Sequence, residues 1–177
     1  MTNIGIILSD NSPHRNSVGL ALEIEERINQ QINYAAQFID LQDFKNYLLG
    51  LGIVHKFDAN ILLVHDEKGK VPSCVNSLLD VTFPEFSNVP FALVVNTSDP
   101  KSGDAVWAAA KNLLWQNEAL VFEKKYLFHK IQDRFNSSYQ VIDENFGEQV
   151  KELVKEYLEF IEEEFSGSSN KVLSETL

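Results

Sequence analysis

Three polar segments each follow an apolar run in this sequence, and they carry residue types that bind anions or move protons. The first follows Ile4–Leu8 and contains the candidate binding residues Ser9, Asn11, Ser12, Arg15, Asn16 and Ser17. Hydroxyl, amide and guanidinium groups donate hydrogen bonds, and a loop that leads into a helix also offers unpaired backbone N–H groups. The segment therefore predicts an anion site. Asp10 is the exception, because a carboxylate repels an anion and more simply caps the helix or completes an Asx turn.

The second and third segments follow Ile61–Val64 and Phe91–Val95. Their candidate binding residues are His65, Glu67, Lys68 and Gly69 in the second segment, and Thr97 and Ser98 in the third. His65 beside Asp66 has the chemistry of a base or of a metal ligand. No second His or Cys lies at ligand spacing, so no metal site is predicted.

Five apolar runs separated by helical patterns must position these segments. The runs are Ile4–Leu8, Tyr34–Leu41, Ile61–Val64, Phe91–Val95 and Ala119–Phe122. Strands that alternate with helices form a parallel sheet with helices on both faces, and we predict the order 2-1-3-4-5. In such a sheet the loops after strands one, three and four lie on one edge, where α/β proteins bind ligands. The three polar segments are those loops.

The helical patterns set the domain limits. We place an N-cap at Ser12 with Pro13 as the first helical position, and a short helix within residues 43–57. Apolar residues from Val150 to Phe165 keep the helical period through an acidic outer face, which predicts a long last helix. The prediction is therefore one domain over residues 1–165 and a flexible tail over residues 166–177.

The amino-acid composition bears on which partners the protein can bind and on where in the cell it is found. The chain has 177 residues and a net charge of −11, so its average field repels nucleic acid. The single cysteine, Cys74, cannot form an internal disulfide, which favours a reducing cytoplasm; a buried Cys that packs as a small hydrophobe is its simplest role. No apolar run approaches the ~18 residues of a membrane span, and the N-terminus is typical of a strand rather than a signal peptide.

Two stretches resemble the NADPH-dependent FMN reductases. Residues 9–15 read SDNSPHR, where that family has a phosphate loop, and residues 65–80 read HDEKGKVPSCVNSLLD, with Gly69, Pro72 and Asp80 in register with a family motif. The resemblance implies an α/β, flavodoxin-like three-layer sandwich and a homodimer. It also implies that FMN takes hydride from NAD(P)H and reduces a quinone, an azo compound or a second flavin. Arg15, Asn16 and Ser17 would then hold the phosphate, and Lys68, Gly69, Thr97 and Ser98 would line the flavin ring.

The same comparison with the family pattern also shows departures. Asp10 and Ser12 stand where the family has Ser and Arg, and Glu67 stands where it has a tyrosine that packs near the flavin. A carboxylate a few ångströms from a phosphate dianion costs on the order of 1 kcal/mol or more. Two hypotheses therefore stay open. One is an FMN-dependent NAD(P)H oxidoreductase, and the other is a flavin-free relative that binds another small molecule or a protein.

Overall fold

The computed structural model describes residues 1–10, 12, 15, 17–43, 56–82 and 86–174. Over these ranges the strands are β1 (Thr2–Ser9), β2 (Tyr34–Asp40), β3 (Ala59–His65), β4 (Pro90–Thr97), β5 (Leu120–Val121) and β6 (Tyr126–His129). The helices are α1 (Ser17–Asn29), α2 (Ser73–Thr82), α3 (Pro100–Gln116) and α4 (Glu144–Ser174), with short 3₁₀ turns at Leu41–Asp43 and Ile131–Asp133.

The sheet has the predicted order β2-β1-β3-β4-β5, and all its pairs are parallel. The prediction of five strands needs one correction, because the edge strand is in two pieces. Strand β5 pairs with the start of β4 at Pro90 and Phe91, whereas β6 pairs with its end from Val94 to Thr97.

The break between β5 and β6 lies beside an aromatic cluster. Phe122 follows β5 and still donates its backbone N–H to the carbonyl of Phe91 at 2.8 Å, while its ring packs against those of Tyr126, Tyr157 and Phe160. Lys124, two residues on, forms ion pairs with α4. A break with paired lysines also blunts the open edge of the sheet against pairing with other chains.

Side chains alternate along the strands and form one core on each face of the sheet. In β1, Ile4, Ile6 and Leu8 pack with the buried faces of α1 and α4, whereas Ile7 packs on the opposite side with α2 and α3. The period of two residues places consecutive side chains on opposite faces. The molecule is therefore the three-layer α/β sandwich that the sequence predicted.

Two helix boundaries differ from the prediction. Helix α1 begins at Ser17, so the N-cap predicted at Ser12 is wrong. Helix α4 runs from Glu144 to Ser174 and continues past Phe165, where the sequence pattern ends it. Mobility of residues 166–177 stays a prediction. The predicted apolar positions of the helix within 43–57, from Phe44 to Leu51, lie outside the described residues.

None of the helices in the described ranges combines the length and the apolar character that crossing a membrane requires.

Candidate ligand site at the carboxyl edge of the sheet

The three polar segments meet at one edge of the sheet, as predicted. Strands β1, β3 and β4 are neighbours, and their register pairs Ser9 with Val64 and His65 with Asn96. The residues that follow these strands therefore lie side by side. This edge also receives the first turns of α1 and α3, which begin at Ser17 and Pro100.

Asp10 forms the centre of the first loop. Its side chain is fully buried, and its Oδ1 accepts from the backbone N–H of Ser12 at 2.8 Å while its Oδ2 accepts from that of Ser17 at 3.0 Å. The first bond completes an Asx turn, and the second satisfies the first N–H of α1. This arrangement also explains why α1 begins at Ser17, since Asp10 rather than Ser12 accepts from the start of the helix.

The buried carboxylate of Asp10 is held in its ionised form. Burial by itself raises its pKa, but hydrogen bonds from the hydroxyls and backbones of Ser12 and Ser17 outweigh burial and lower the pKa below 3.8. The backbone N–H groups of Ser12 and Ser17 thus already bind an anion, which is the protein's own carboxylate.

A chain of polar contacts joins the first loop to the ends of β3 and β4. The side-chain amide of Asn96 donates to Ser17 Oγ at 3.0 Å and lies 3.3 Å from Nδ1 of His65. The same Nδ1 lies 3.9 Å from Oδ1 of Asp10. With Asn96 in this orientation, Nδ1 of a neutral His65 accepts and Nε2 carries the proton. The imidazole of His65 is one quarter exposed, whereas Asp10, Ser17 and Asn96 are buried. Among these four side chains, a ligand can therefore reach His65.

The other candidates of the first loop also have partners inside the protein. Ser9 is buried, and its hydroxyl donates to the carbonyl of Leu63 at 3.0 Å. Arg15 forms an ion pair with Asp40 at the end of β2. Its partner is therefore a residue of the neighbouring strand and not Asp10. The ion pair ties the loop to the neighbouring strand.

Asp66 connects the second and third segments. Its Oδ1 accepts from the backbone N–H of Gly69 at 2.6 Å, and its Oδ2 accepts from the hydroxyls of Thr97, at 2.7 Å, and Ser102. Burial raises the pKa of Asp66, but the hydrogen bonds from Ser102, Thr97 and Gly69 and the nearby His65 outweigh it, so the pKa is lowered. Thr97 therefore serves the loop structure, and it is almost fully buried.

The second loop is a tight turn. Glu67 and Lys70 exchange backbone hydrogen bonds at 3.2 and 3.3 Å, and the two residues between them have positive φ, 56° at Lys68 and 81° at Gly69. Two central residues with positive φ define a type I′ turn, which Gly favours and Lys tolerates at a cost. The turn brings the Cα of Gly69 close to Ser102 at the start of α3.

Ser98, Asn11, Asn16 and Cys74 complete the residues that the sequence analysis considered. Ser98 is exposed at the end of the site, and Asn11 and Asn16 lie outside the described residues. Cys74 is buried among apolar side chains, in agreement with its predicted role as a small hydrophobic residue.

Asp40, Asp66 and Asn96 were not among the binding residues proposed from the sequence. Their positions at strand ends were the available signal.

Comparison with solved structures defines the class of the fold. The flavoenzyme NAD(P)H:(acceptor) oxidoreductase FerB from Paracoccus denitrificans superposes with a TM-score of 0.69 at 13% identity, over 93% of this chain and 99% of that one. The apo form of the NADH:FMN oxidoreductase EmoB gives 0.70 at 11% identity, over 94% and 90%. Flavodoxin 1 from Bacillus cereus gives 0.66 at 14% identity, over 90% and 98%. This chain has the flavodoxin-like fold.

Sequence comparison adds nothing to this, since no family model and no curated protein matches the chain.

Proposed function

We propose that this chain is a divergent flavodoxin-like relative of the NADPH-dependent FMN reductases that carries no permanently bound flavin. Its carboxyl edge binds a small molecule, and its affinity for FMN is far below that of a flavoprotein. The observation that carries this proposal is the position of the Asp10 carboxylate on the N–H groups of Ser12 and Ser17.

The described residues of the first loop do not fit the FMN phosphate while Asp10 is ionised. A phosphomonoester carries about −1.5 to −2 charge and needs N–H donors and cations. Asp10 takes the donors of Ser12 and Ser17, and its own charge repels the phosphate. Arg15, a cation of the first loop, is held by Asp40. At the ring position, the turn from Glu67 to Lys70 presents an acid where the resembling family has a tyrosine, so this turn offers no aromatic ring for stacking.

The surface of the second and third loops offers exposed lysines to a small molecule that approaches away from Asp10. Lys68 and Lys70 flank Gly69, which lies against Ser102, and Lys101 is the residue before Ser102. All three lysines are exposed. Asp66, Glu67 and Asp99 lie on the same two loops and balance these lysines, within a protein whose net charge is −11. The net charge also supports a protein without a nucleic-acid partner, and the single cysteine supports a cytoplasmic location.

A second candidate function is an FMN-dependent NAD(P)H oxidoreductase. The observation that favours it is the similarity over nearly the whole chain to FerB and EmoB, whose names state oxidoreductase activity. In this candidate a bound FMN supplies the redox chemistry, and the protein holds and orients it.

An FMN titration followed by quenching of flavin fluorescence at fixed salt separates the two candidates. We expect the parent to bind FMN weakly. Asp10→Ser combined with Ser12→Arg removes one negative charge and adds one positive charge beside the phosphate position, and charge-assisted hydrogen bonds are worth roughly 1.5 to 3 kcal/mol. The double variant should therefore bind FMN at least about tenfold more tightly.

Riboflavin, which lacks the phosphate, is the matched probe, and its affinity should not change between parent and variant. Submicromolar binding of FMN by the parent, or a yellow protein after purification, would overturn the proposal and establish the oxidoreductase candidate instead.

A further inference from the structure

His65 at the end of β3 is held from one side of its ring. The polar contacts that its imidazole makes with the described residues are at Nδ1, which lies 3.3 Å from the side-chain amide nitrogen of Asn96 and 3.9 Å from Oδ1 of Asp10. The side chain is one quarter exposed. Nε2, across the ring from Asp10 and Asn96, is therefore the nitrogen that His65 presents at the carboxyl edge of the sheet.

The direction of the hydrogen bonds behind this ring is set by the charge of Asp10. An ionised carboxylate can only accept hydrogen bonds, and Asp10 accepts from both the backbone N–H and the hydroxyl of Ser17. Ser17 has one hydroxyl proton, so its Oγ can only accept from Asn96, whose amide nitrogen lies 3.0 Å away. The amide of Asn96 is thereby fixed with its nitrogen between Ser17 and His65.

The fixed amide in turn determines where the proton of a neutral His65 lies. The amide nitrogen of Asn96 has only donors to offer, so Nδ1 must provide a lone pair and the ring proton lies on Nε2. Asp10, Ser17 and Asn96 are at most 7% exposed. Water therefore has little access to the groups that set this tautomer.

We propose that His65 is the ligand-recognition residue of this edge, that it presents Nε2–H as a fixed donor, and that the ligand is a neutral molecule with a carbonyl oxygen. Asp10, Ser17 and Asn96 are its positioning residues. An Nε2–H donor needs an acceptor on the ligand, and it offers no lone pair to an N–H group of the ligand. The proposal rests on the proposed function, since it names the class of small molecule that binds there.

The charges around His65 favour a neutral acceptor over an anionic one. Asp10 lies behind the ring, and Asp66 follows His65 in the chain. Burial raises the pKa of both carboxyls, but the hydrogen bonds they accept outweigh it and lower the pKa, so both are ionised at neutral pH. A carboxylate or phosphate on Nε2 meets the repulsion of these two charges. The carbonyl oxygen of a ketone, an amide or a quinone accepts the same hydrogen bond without it.

Nitrogen-15 NMR of the imidazole in the ligand-free full chain tests the fixed tautomer. At about pH 8.5, where histidine is ordinarily neutral, the His65 signal, assigned by its loss in His65→Gln, should be that of the Nε2–H form. Asn96→Leu removes the donor to Nδ1 and leaves Oδ1 of Asp10 as an acceptor that faces it, so the Nδ1–H form should become the major one. Asn112→Leu, the same substitution at an exposed position of α3, should leave the tautomer unchanged.

Three probes that share a benzene ring test the ligand class by their effect on the same His65 signal. Acetophenone has a neutral carbonyl, benzoate has a charged acceptor, and benzylammonium has only donors. Acetophenone should bind at least about tenfold more tightly than either of the other two. Backbone amide shifts at the edge report binding to the His65 variants. His65→Leu should weaken acetophenone binding by at least about tenfold, whereas His65→Gln, which keeps an N–H donor, should weaken it less.

The inference about His65 and the proposed function can fail separately. A major Nδ1–H form in the parent, an Nε2–H form that persists in Asn96→Leu, no effect of acetophenone, tighter binding of either charged probe, or equal losses in the two His65 variants would overturn the inference. The probes carry no phosphate and the tautomer is measured without a ligand, so these results do not depend on the affinity for FMN. Submicromolar binding of FMN by the parent would overturn the proposed function alone.

Discussion

The backbone N–H of Ser17 donates to Oδ2 of Asp10 at 3.0 Å, which joins the first residue of α1 to the residue after β1. A helix N-terminus carries about half a positive charge and attracts anions. In this protein the attracted anion is an internal carboxylate, so the contact contributes to stability and also occupies the position of an external anion. The two effects lead to separate predictions.

Replacement of Asp10 by Asn should destabilise the protein at neutral pH by about 1 to 3 kcal/mol, because one buried N–H loses a charged acceptor. The folded state lowers the pKa of Asp10 below the ordinary 3.8. Its stabilising contribution is therefore complete above the unfolded pKa and is lost as the pH falls through the folded pKa. Urea unfolding of parent and variant between pH 7 and acid should show the difference shrinking as the pH falls below 3.8.

Asp133→Asn is the matched control, since that carboxylate is exposed at the turn after β6. Its free energy of unfolding should differ from that of the parent by less than about 0.5 kcal/mol. A stability difference for Asp10→Asn that stays constant with pH would show that Asp10 is not held ionised.

Gly103 in the first turns of α3 lies directly against Thr97. A Cβ at this position would lie 2.6 Å from Cγ2 of Thr97, too close for any side chain. Gly103→Ala should displace Thr97 and its hydrogen bond to Asp66, with a loss of about 1 to 3 kcal/mol. Gly147→Ala in α4 is the comparison, because its Cβ would lie 3.5 Å from Val141, an ordinary contact. That variant should be neutral or more stable by up to about 1 kcal/mol; equal thermal midpoints for the two variants would refute the argument.

The buried hydroxyl of Tyr157 fastens α4 to the sheet. It lies 2.7 Å from the carbonyl of Asn60 in β3 and 2.9 Å from that of Pro90 in β4. Burial raises the pKa of this phenol, so it stays protonated and remains a donor. Tyr157→Phe should therefore lower the free energy of unfolding by about 1 to 2 kcal/mol, as measured by urea titration. Tyr139→Phe, at an exposed tyrosine, should have no measurable effect.

The strands were predictable because each is a local apolar run bounded by polar turns, and parallel order follows from the helices between them. The start of α1 was not predictable in this way, because it depends on a carboxylate seven residues earlier, at Asp10. The break between β5 and β6 lies where Phe122 packs against Tyr157 and Phe160 of α4, which are distant in the sequence.

The location of the candidate site was predictable from the sequence, but its hydrogen bonds were not. Its place at the carboxyl edge follows from topology. The bonds that occupy its donors, such as the one from Thr97 to Asp66, join residues 31 positions apart in the chain. No local pattern in the sequence reports such a pairing.

The pairing of Arg15 with Asp40 gives a second way to change the affinity for FMN without touching Asp10. Asp40 is nearly buried, and its Oδ1 accepts from the backbone N–H of Gln42 at 2.9 Å. Asp40→Asn keeps an acceptor for Gln42 but removes the charge that holds Arg15. The freed guanidinium can then turn toward a phosphate at the loop, and one charge-assisted hydrogen bond corresponds to roughly tenfold tighter binding.

Fluorescence titration with FMN and riboflavin measures this gain. Asp40→Asn should tighten the binding of FMN but not of riboflavin, and Asp40→Asn combined with Arg15→Gln should return the affinity for FMN to that of the parent. If Arg15→Gln alone weakens FMN binding by tenfold and Asp40→Asn changes nothing, Arg15 already contacts the phosphate in the parent. The ion pair with Asp40 would then not be what limits the affinity of this site for an anion.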